Sequence, residues 1–289
     1  KASYLIEYLV KTGLVIDKER GPVDRFRGRI IFPIRSMAGR VLGFGGRILS
    51  KTAKTAKYLN SPESEVYHKS RILYGIYESK KAIAKEDVCY LVEGYTDVIQ
   101  LFQNGIKNVV SSSGTALTTE QIRLIRRLTS NIVVLFDGDA AGLQAAIRGV
   151  DLILEQGMNV KICGFPEGED PDSFARSHSQ EEINSYLKNE AKDFIEFKTD
   201  ILLNEAKQDT VKKASTIREI VQSISKIPDL IQQEIYIKQC AVAMGISEAV
   251  LFNSLAQEQN KKQKAVRNIS NTFSEKEILI QKIPQQEIS

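Results

Sequence analysis

Five carboxylates in this sequence stand where packing alone gives little reason for a charge. Glu93 closes "CYLVEG", Asp137 and Asp139 close "VVLFDGD", and Asp170 and Asp172 lie in "GFPEGEDPDSF". Each group follows a short run of buried-type residues. In extended backbone, residues i and i+2 project to the same side, so Asp137 and Asp139 face one point in space. Two anions so placed repel each other, and a hard divalent cation relieves the repulsion. Each motif has a plainer reading. A D-x-D pair is common on surfaces, "DPD" is a turn in which Asp172 caps a helix, and Asp97 reads as a solvated helix residue. Glu93 is harder to explain that way, because a glutamate ending a buried strand needs a partner. Three acidic groups at matching positions carry the argument.

The elements that would position them follow a strand–helix rhythm. Strands are expected over 88–93, 109–112, 132–136 and 160–165, and helices over 96–104, 119–128 and 140–156. Apolar strands separated by amphipathic helices call for a parallel sheet covered on both faces. Parallel strands place their carboxyl ends on one edge, where open α/β sheets bind ligands. Gly94, Gly138 and Pro171 supply tight turns beside the acids. "SSSGTALT" (111–118) lies at another strand end. Its small residues allow close backbone approach and a helix start that offers N–H groups to an anion; an ordinary capped βα loop is the equal alternative.

Upstream, "RFRGRIIFPIRSMAGRVLGFGGRIL" reads as strands over 30–34 and 40–45 joined by a turn near 38–39. "KTAKTAKYLNSPESEVYHKS" reads as a loop with a turn at 60–62. Gly43, Gly45 and Gly46 would let backbone and Arg47 approach a phosphate chain, or else mark a tight sheet bend. From 180 to about 257 the pattern is helical, with Pro228 as a break. The tail from Glu258 reads as a linker or marginal helix. The expected division is a basic N-terminal subdomain (1–84), a metal-binding α/β domain (85–175), a helical subdomain (176–257) and a tail (258–289).

Charge is uneven along the 289 residues. From Arg20 to Lys81 there are fourteen Lys/Arg and four Asp/Glu, a net +10 within a chain of +4, so the remainder carries −6. A basic segment beside an acidic one suits a polyanion held next to a metal. Three scattered cysteines and two histidines, His68 and His178, give no disulfide frame and no zinc cluster. No run approaches the ~18 apolar residues of a membrane span, and there is no secretory signal. The chain starts at Lys1 without an initiator Met and reads as a fragment.

"LVEGYTDVI", "SSSGTALT", "VLFDGDAAGLQAA" and "EDPD" resemble the Toprim domain of primases, topoisomerases and some nucleases. "DRFRGRIIFPIRSMAGRVLGFGGRIL" and "KYLNSPESEVYHKSRILYGIYESKKAI" are similar, more specifically, to the bacterial DnaG-type DNA primases. The resemblance covers most of 24–174. It implies an α/β fold with an α+β N-terminal subdomain, a Toprim sheet and a C-terminal helical subdomain. It implies a cytoplasmic nucleotidyltransferase that makes short RNA primers on single-stranded DNA from nucleoside triphosphates. Metal binding would fall on Glu93, Asp137, Asp139, Asp170 and Asp172, with Mg²⁺ as the ion and Mn²⁺ able to replace it. Catalysis would rest on Glu93, Asp137 and Asp139, with Glu93 either a ligand or the proton acceptor. Arg47, Lys57, Lys69, Tyr95 and Asp97 would meet nucleotide or template, although "SKTAKTA" stretches the spacing between Arg47 and Lys57. Zinc is expected only in an N-terminal domain missing here, and the replicative helicase as a partner through a C-terminal domain also missing. The alternative is another Toprim enzyme that cleaves DNA strands. A topoisomerase would need a nucleophilic tyrosine in a separate domain, and a non-catalytic scaffold would predict degraded acids.

Overall fold

The computed structural model describes residues 4–49, 56–114, 116–137, 140–205, 210–261 and 264. Asp139 and Gly138 of the D-x-D turn lie outside them. The chain forms two compact units, Lys1–Phe194 and Ile195–Ser289.

The first unit opens with α1 (Ile6–Lys11) and the antiparallel pair β1 (Val15–Ile16) and β2 (Val23–Asp24). An antiparallel sheet follows, ordered β3 (Arg29–Arg35), β4 (Val41–Ile48), β5 (Tyr58–Asn60). Gly39 turns β3 into β4 at φ +88, backbone that a Cβ would strain. β5 lies inside the stretch read as a loop. Three residues are too few to show a period, and the strand exists because β4 offers an edge, pairing Gly45 with Asn60 and Arg47 with Tyr58.

After α2 (Ile76–Glu86) come β6 (Cys89–Val92), α3 (Tyr95–Gln103), β7 (Val109–Ser111), α4 (Thr119–Arg126), β8 (Asn131–Phe136), α5 (Ala140–Glu155), β9 (Asn159–Gly164), α6 (Pro171–Ser177), α7 (Gln180–Asn189) and β10 (Lys192–Asp193). The sheet order is β10-β9-β8-β6-β7. β9, β8, β6 and β7 are parallel, and β10 closes one edge antiparallel. The chain leaves β6 toward β7 and leaves β8 toward β9, in opposite directions. The crevice between β6 and β8 is therefore the topological switch point, where such sheets bind ligands. Glu93 and Asp137 are the residues that leave those two strands.

One core joins Val92, Val98, Leu101, Val109, Leu135 and Cys163 to Phe165, Phe174, Ile183 and Leu187. α6 and α7 thus pack on the core of the sheet, within a first unit that runs to Phe194. Helical periodicity shows that 180–189 has an apolar face without showing which core receives it. The Tyr186 hydroxyl adds a bond to the Gly164 carbonyl (2.8 Å) at the end of β9.

The second unit contains α8 (Phe194–Glu205), which starts at the last residue of the first, then α9 (Thr210–Ile224), α10 (Leu230–Met244) and a helical stretch over 248–261. Its core includes Ile217, Ile220, Ile224, Ile237, Cys240, Met244, Leu251 and Leu255. Asp229, directly after Pro228, caps α10 by accepting from the Ile231 and Gln232 N–H groups. The buried Lys198 donates to Ser223 Oγ (2.7 Å). Among the described residues no helix is long and apolar enough to cross a membrane, and Cys89, Cys163 and Cys240 are free and buried.

Candidate functional site

Glu93 is exposed just beyond β6, and Asp137 is half-buried just beyond β8. Asp170 is the N-cap of α6: its Oδ1 accepts from the Ser173 N–H (2.7 Å). Asp172 lies in the first turn of that helix and pairs with Arg176, Oδ2 to Nη2 at 2.8 Å. The cap is therefore Asp170, where the plainer sequence reading gave that part to Asp172. On the same loop Glu169 keeps its Oε2 buried with no hydrogen-bond partner among the described residues.

Asp97 reports the charge that these acids share. It is the third residue of α3 and only 8 % exposed, and its Oδ2 accepts from the Gly94 N–H (2.8 Å), which fixes the turn behind Glu93. Burial pushes its carboxyl up to about 7; the Gly94 N–H opposes the rise, and Asp137, Asp170 and Asp172 add to it. Three acids from two loops thus act on one buried carboxyl. Among the described residues no three His, Cys, Asp or Glu side chains form a ready metal-binding group. Even so, hard oxygen donors, concentrated negative charge and an orphaned carboxylate oxygen make a chemistry that fits a hard divalent cation.

The raised value has a consequence for stability. Asp97 holds its proton more tightly folded than unfolded, so its contribution is fully present below about pH 4. It is lost as pH rises through about 7. Without divalent ions, the melting temperature should fall over that window. Asp97→Asn, which still offers an oxygen to Gly94, should flatten the fall. Identical profiles for both proteins would overturn this account.

Of the basic residues, Arg47 lies on β4, Lys57 directly precedes β5, and Lys69 opens the short 3₁₀ turn Lys69–Arg71. Arg47 and Tyr58 face each other across β4 and β5, with the guanidinium 5.9 Å from the ring centroid and the exposed Lys57 6.0 Å from it. Arg47 Nε is buried with no acceptor among the described residues, a donor an anion could satisfy. Lys69 is half-buried and shares a small cavity with Asn60, Tyr67, Ser112 and Ser113. Ser112 also borders a larger cavity of about 440 Å³ lined by Glu93, Gly114, Leu117, Phe136 and Arg148. Lys69, the serine loop and Glu93 therefore stand in sequence along one edge.

Tyr95 is placed differently from what the resemblance implied. It is 2 % exposed, stacks on Phe32 at 5.0 Å and meets Tyr74 edge-on at 4.8 Å. Its hydroxyl donates to Asn60 Oδ1 (2.8 Å). Tyr95 and Asp97 both support the loop that carries Glu93, and neither presents a polar group to solvent. The glycines of "GFGGR" are corrected too: a Cβ on Gly43 would strike the Tyr67 ring at 2.7 Å, and one on Gly45 the Tyr95 ring at 2.5 Å. Those sites admit aromatic rings, not a phosphate chain.

Asn60 is the residue that sequence reasoning missed. Besides accepting from Tyr95, its Nδ2 donates to the Ser113 carbonyl (3.2 Å), so one side chain joins β5, α3 and the serine loop. Ser113 has φ +60, uncommon for a residue with a Cβ. The signal was an Asn at a position read only as a turn.

A switch-point edge lined with acids is joined in one unit to a basic antiparallel sheet. Family models match accordingly: the N-terminal domain of the DNA primase catalytic core over 1–80, a Toprim-like domain over 90–175, and the DnaB-helicase binding domain of primase over 195–249. A DNA primase of Clostridium acetobutylicum is 37% identical over 258 residues, covering 88% of this chain and 42% of that protein. A DNA primase domain from Pseudomonas aeruginosa superposes with TM-score 0.77 at 33% identity, covering 87% of this chain and 79% of the other. A DnaG primase catalytic domain bound to ssDNA gives 0.72 at 34%, covering 82% and 77%. The chain belongs to the family of bacterial DnaG-type DNA primases. It spans less than half the length of the curated relatives it matches.

Proposed function

We propose that this chain is the catalytic core of a primase, making short RNA primers on single-stranded DNA from nucleoside triphosphates. What supports the reading is the acidic switch-point edge, with Lys69 bordering the serine loop beside Glu93 and Arg47 and Lys57 on the basic side of the same unit. Glu93, Asp137, Asp139, Asp170 and Asp172 are the residues that would hold Mg²⁺ or Mn²⁺. Such ions lower the charge on a triphosphate and favour attack by a 3′-hydroxyl on the α-phosphate, with pyrophosphate leaving. The chain's own part is to place these groups. Asp97 and Gly94 hold the Glu93 turn, the α6 cap fixes Asp170, and the basic side chains pair with phosphate oxygens. Glu93, exposed at the crevice, serves as a ligand or takes the proton of the attacking hydroxyl. Incubation with template and labelled triphosphates should yield short RNA, whereas supercoiled plasmid should remain uncut. The reverse outcome would favour strand cleavage.

Template is expected along Arg47, Lys57 and Lys69; the similar DnaG primase catalytic domain bound to ssDNA supports single-stranded DNA as the ligand. Each phosphate neutralised on a single strand contributes roughly 0.7 to the slope of log affinity against log salt, so three contacts give about −2. Lys57→Ala should weaken binding and flatten that slope by about 0.7. An unchanged slope and affinity would move the template path elsewhere. The match over 195–249 supports the replicative helicase as a partner through the helical unit; the sequence reading had expected that partner through a domain beyond this chain. A cytoplasmic setting belongs to the same proposal.

A further inference from the structure

The loop after β7 and the first turn of α4 hold an arrangement that the acids do not explain. Gln121 is 0 % exposed. Its Nε2 donates to the carbonyl oxygens of Lys69 (3.1 Å) and Ile72 (2.9 Å), and its Oε1 accepts from the Thr118 N–H (3.1 Å). Thr118 Oγ1 accepts from the Gln121 N–H (3.2 Å) and donates to the Ser70 carbonyl (2.5 Å). Thr118 and Gln121 thus form the capping box of α4. A capping box, however, uses only the reciprocal bonds between its own two residues. The other three bonds run to a segment about fifty positions earlier in the chain, and they bind three of its four successive carbonyls. That segment is the short 3₁₀ turn Lys69–Arg71 with the residue that follows it.

We propose that Gln121, assisted by Thr118, is a positioning residue for Lys69. Lysine carries its charge on a flexible stem of four carbons, so its aim depends on how firmly its own backbone is held. Here that backbone is tied to the helix that follows the serine loop. Glu63 completes the hold from the other side, its Oε1 accepting from the Lys69 N–H (3.0 Å). The cavity that Lys69 lines is shared with Ser112 and Ser113, which precede the same helix. The clamp therefore sets the ammonium and the serine loop in one frame, beside the wall that contains Glu93. The motif "SSSGTALT" gains a role that neither sequence reading gave it: it ends in the box that carries a basic residue to the acid edge. This inference rests on reading Lys69 as a phosphate contact.

The test is a double-mutant cycle on the chain, with labelled ATP on an oligo-dT template. Gln121→Leu keeps the side chain's bulk and removes its amide. The KM for ATP, or the Kd for oligo-dT where Lys69 meets template, should rise by about tenfold or more, since small misplacements of binding groups cost up to about a hundredfold, while kcat changes less. Lys69→Ala should raise the same constant, and in that background Gln121→Leu should add little, because residues acting as a unit are not additive. Equal effects of Gln121→Leu in both backgrounds would mark a merely structural role and overturn the inference alone. A Lys69→Ala protein with unchanged KM for ATP and unchanged affinity for oligo-dT would overturn the inference together with the Lys69 reading. Should the leucine variant fail to fold, Gln121→Asn retains the amide, shortens it by one methylene and is held to the same outcomes.

Discussion

Replacing Asp137 by asparagine is expected to abolish nucleotide transfer while leaving the fold intact. The strand before it supplies its own stability: Ile132, Val133, Val134, Leu135 and Phe136 are all buried. They sit in parallel register with β6 on one side and β9 on the other. The carboxylate itself adds negative charge to a crowded edge, as its effect on Asp97 shows. An amide of the same shape removes that repulsion, so the melting temperature should hold or rise. It is also a poor substitute for an anionic oxygen at a hard cation. Losing even an outer partner of a metal site costs about 10–100-fold, so loss of a ligand should exceed about a hundredfold. Asp139→Asn is expected to behave alike. Primer synthesis at the parent rate in ordinary Mg²⁺ would remove Asp137 from the metal site.

Much of this edge was legible because its signals are local. The apolar runs before Glu93, Asp137 and the "EDPD" loop each mark a strand, and the parallel arrangement follows from the helices between them. The tertiary contributions were hidden. β5 is a strand only because β4 is beside it, and Asn60 looks like a turn residue until Tyr95 and Ser113 arrive at its two ends. Tyr95 stands in a recognisable motif, yet its work is to fill the space over Gly45 and stack on Phe32. The glycines of β4 looked like openings for phosphate because a sequence records the missing Cβ and not the ring that occupies its place. Asp97 shows the same limit: its spacing marks a helix residue, while its burial and raised proton affinity depend on acids from other loops.

Gly142→Ala, at a residue with no titratable group of its own, should cost activity, though less than a lost ligand. Gly142 is the third residue of α5, and a Cβ there would lie 2.8 Å from the Asp137 carbonyl oxygen and 3.1 Å from its nitrogen. Those are backbone atoms, so no rotamer change can relieve the contact, and either the helix start or Asp137 must move. The opposing effect is helix propensity: in a helix interior alanine is better than glycine by about 1 kcal/mol. If α5 were only a crossover helix, the substitution would raise the melting temperature and leave synthesis alone. The close approach predicts the contrary sign for function. A displacement of about 1 Å at a reacting group can cost a hundredfold, and Asp137 is the residue displaced. Primer synthesis should therefore fall by about ten- to a hundredfold, with kcat more affected than the affinity for single-stranded DNA, whose proposed contacts, Arg47, Lys57 and Lys69, lie away from this turn. The measurement pairs single-turnover synthesis with thermal denaturation. A more stable protein of parental activity would show that the Asp137 turn yields without consequence, and that the geometry of this edge is set elsewhere.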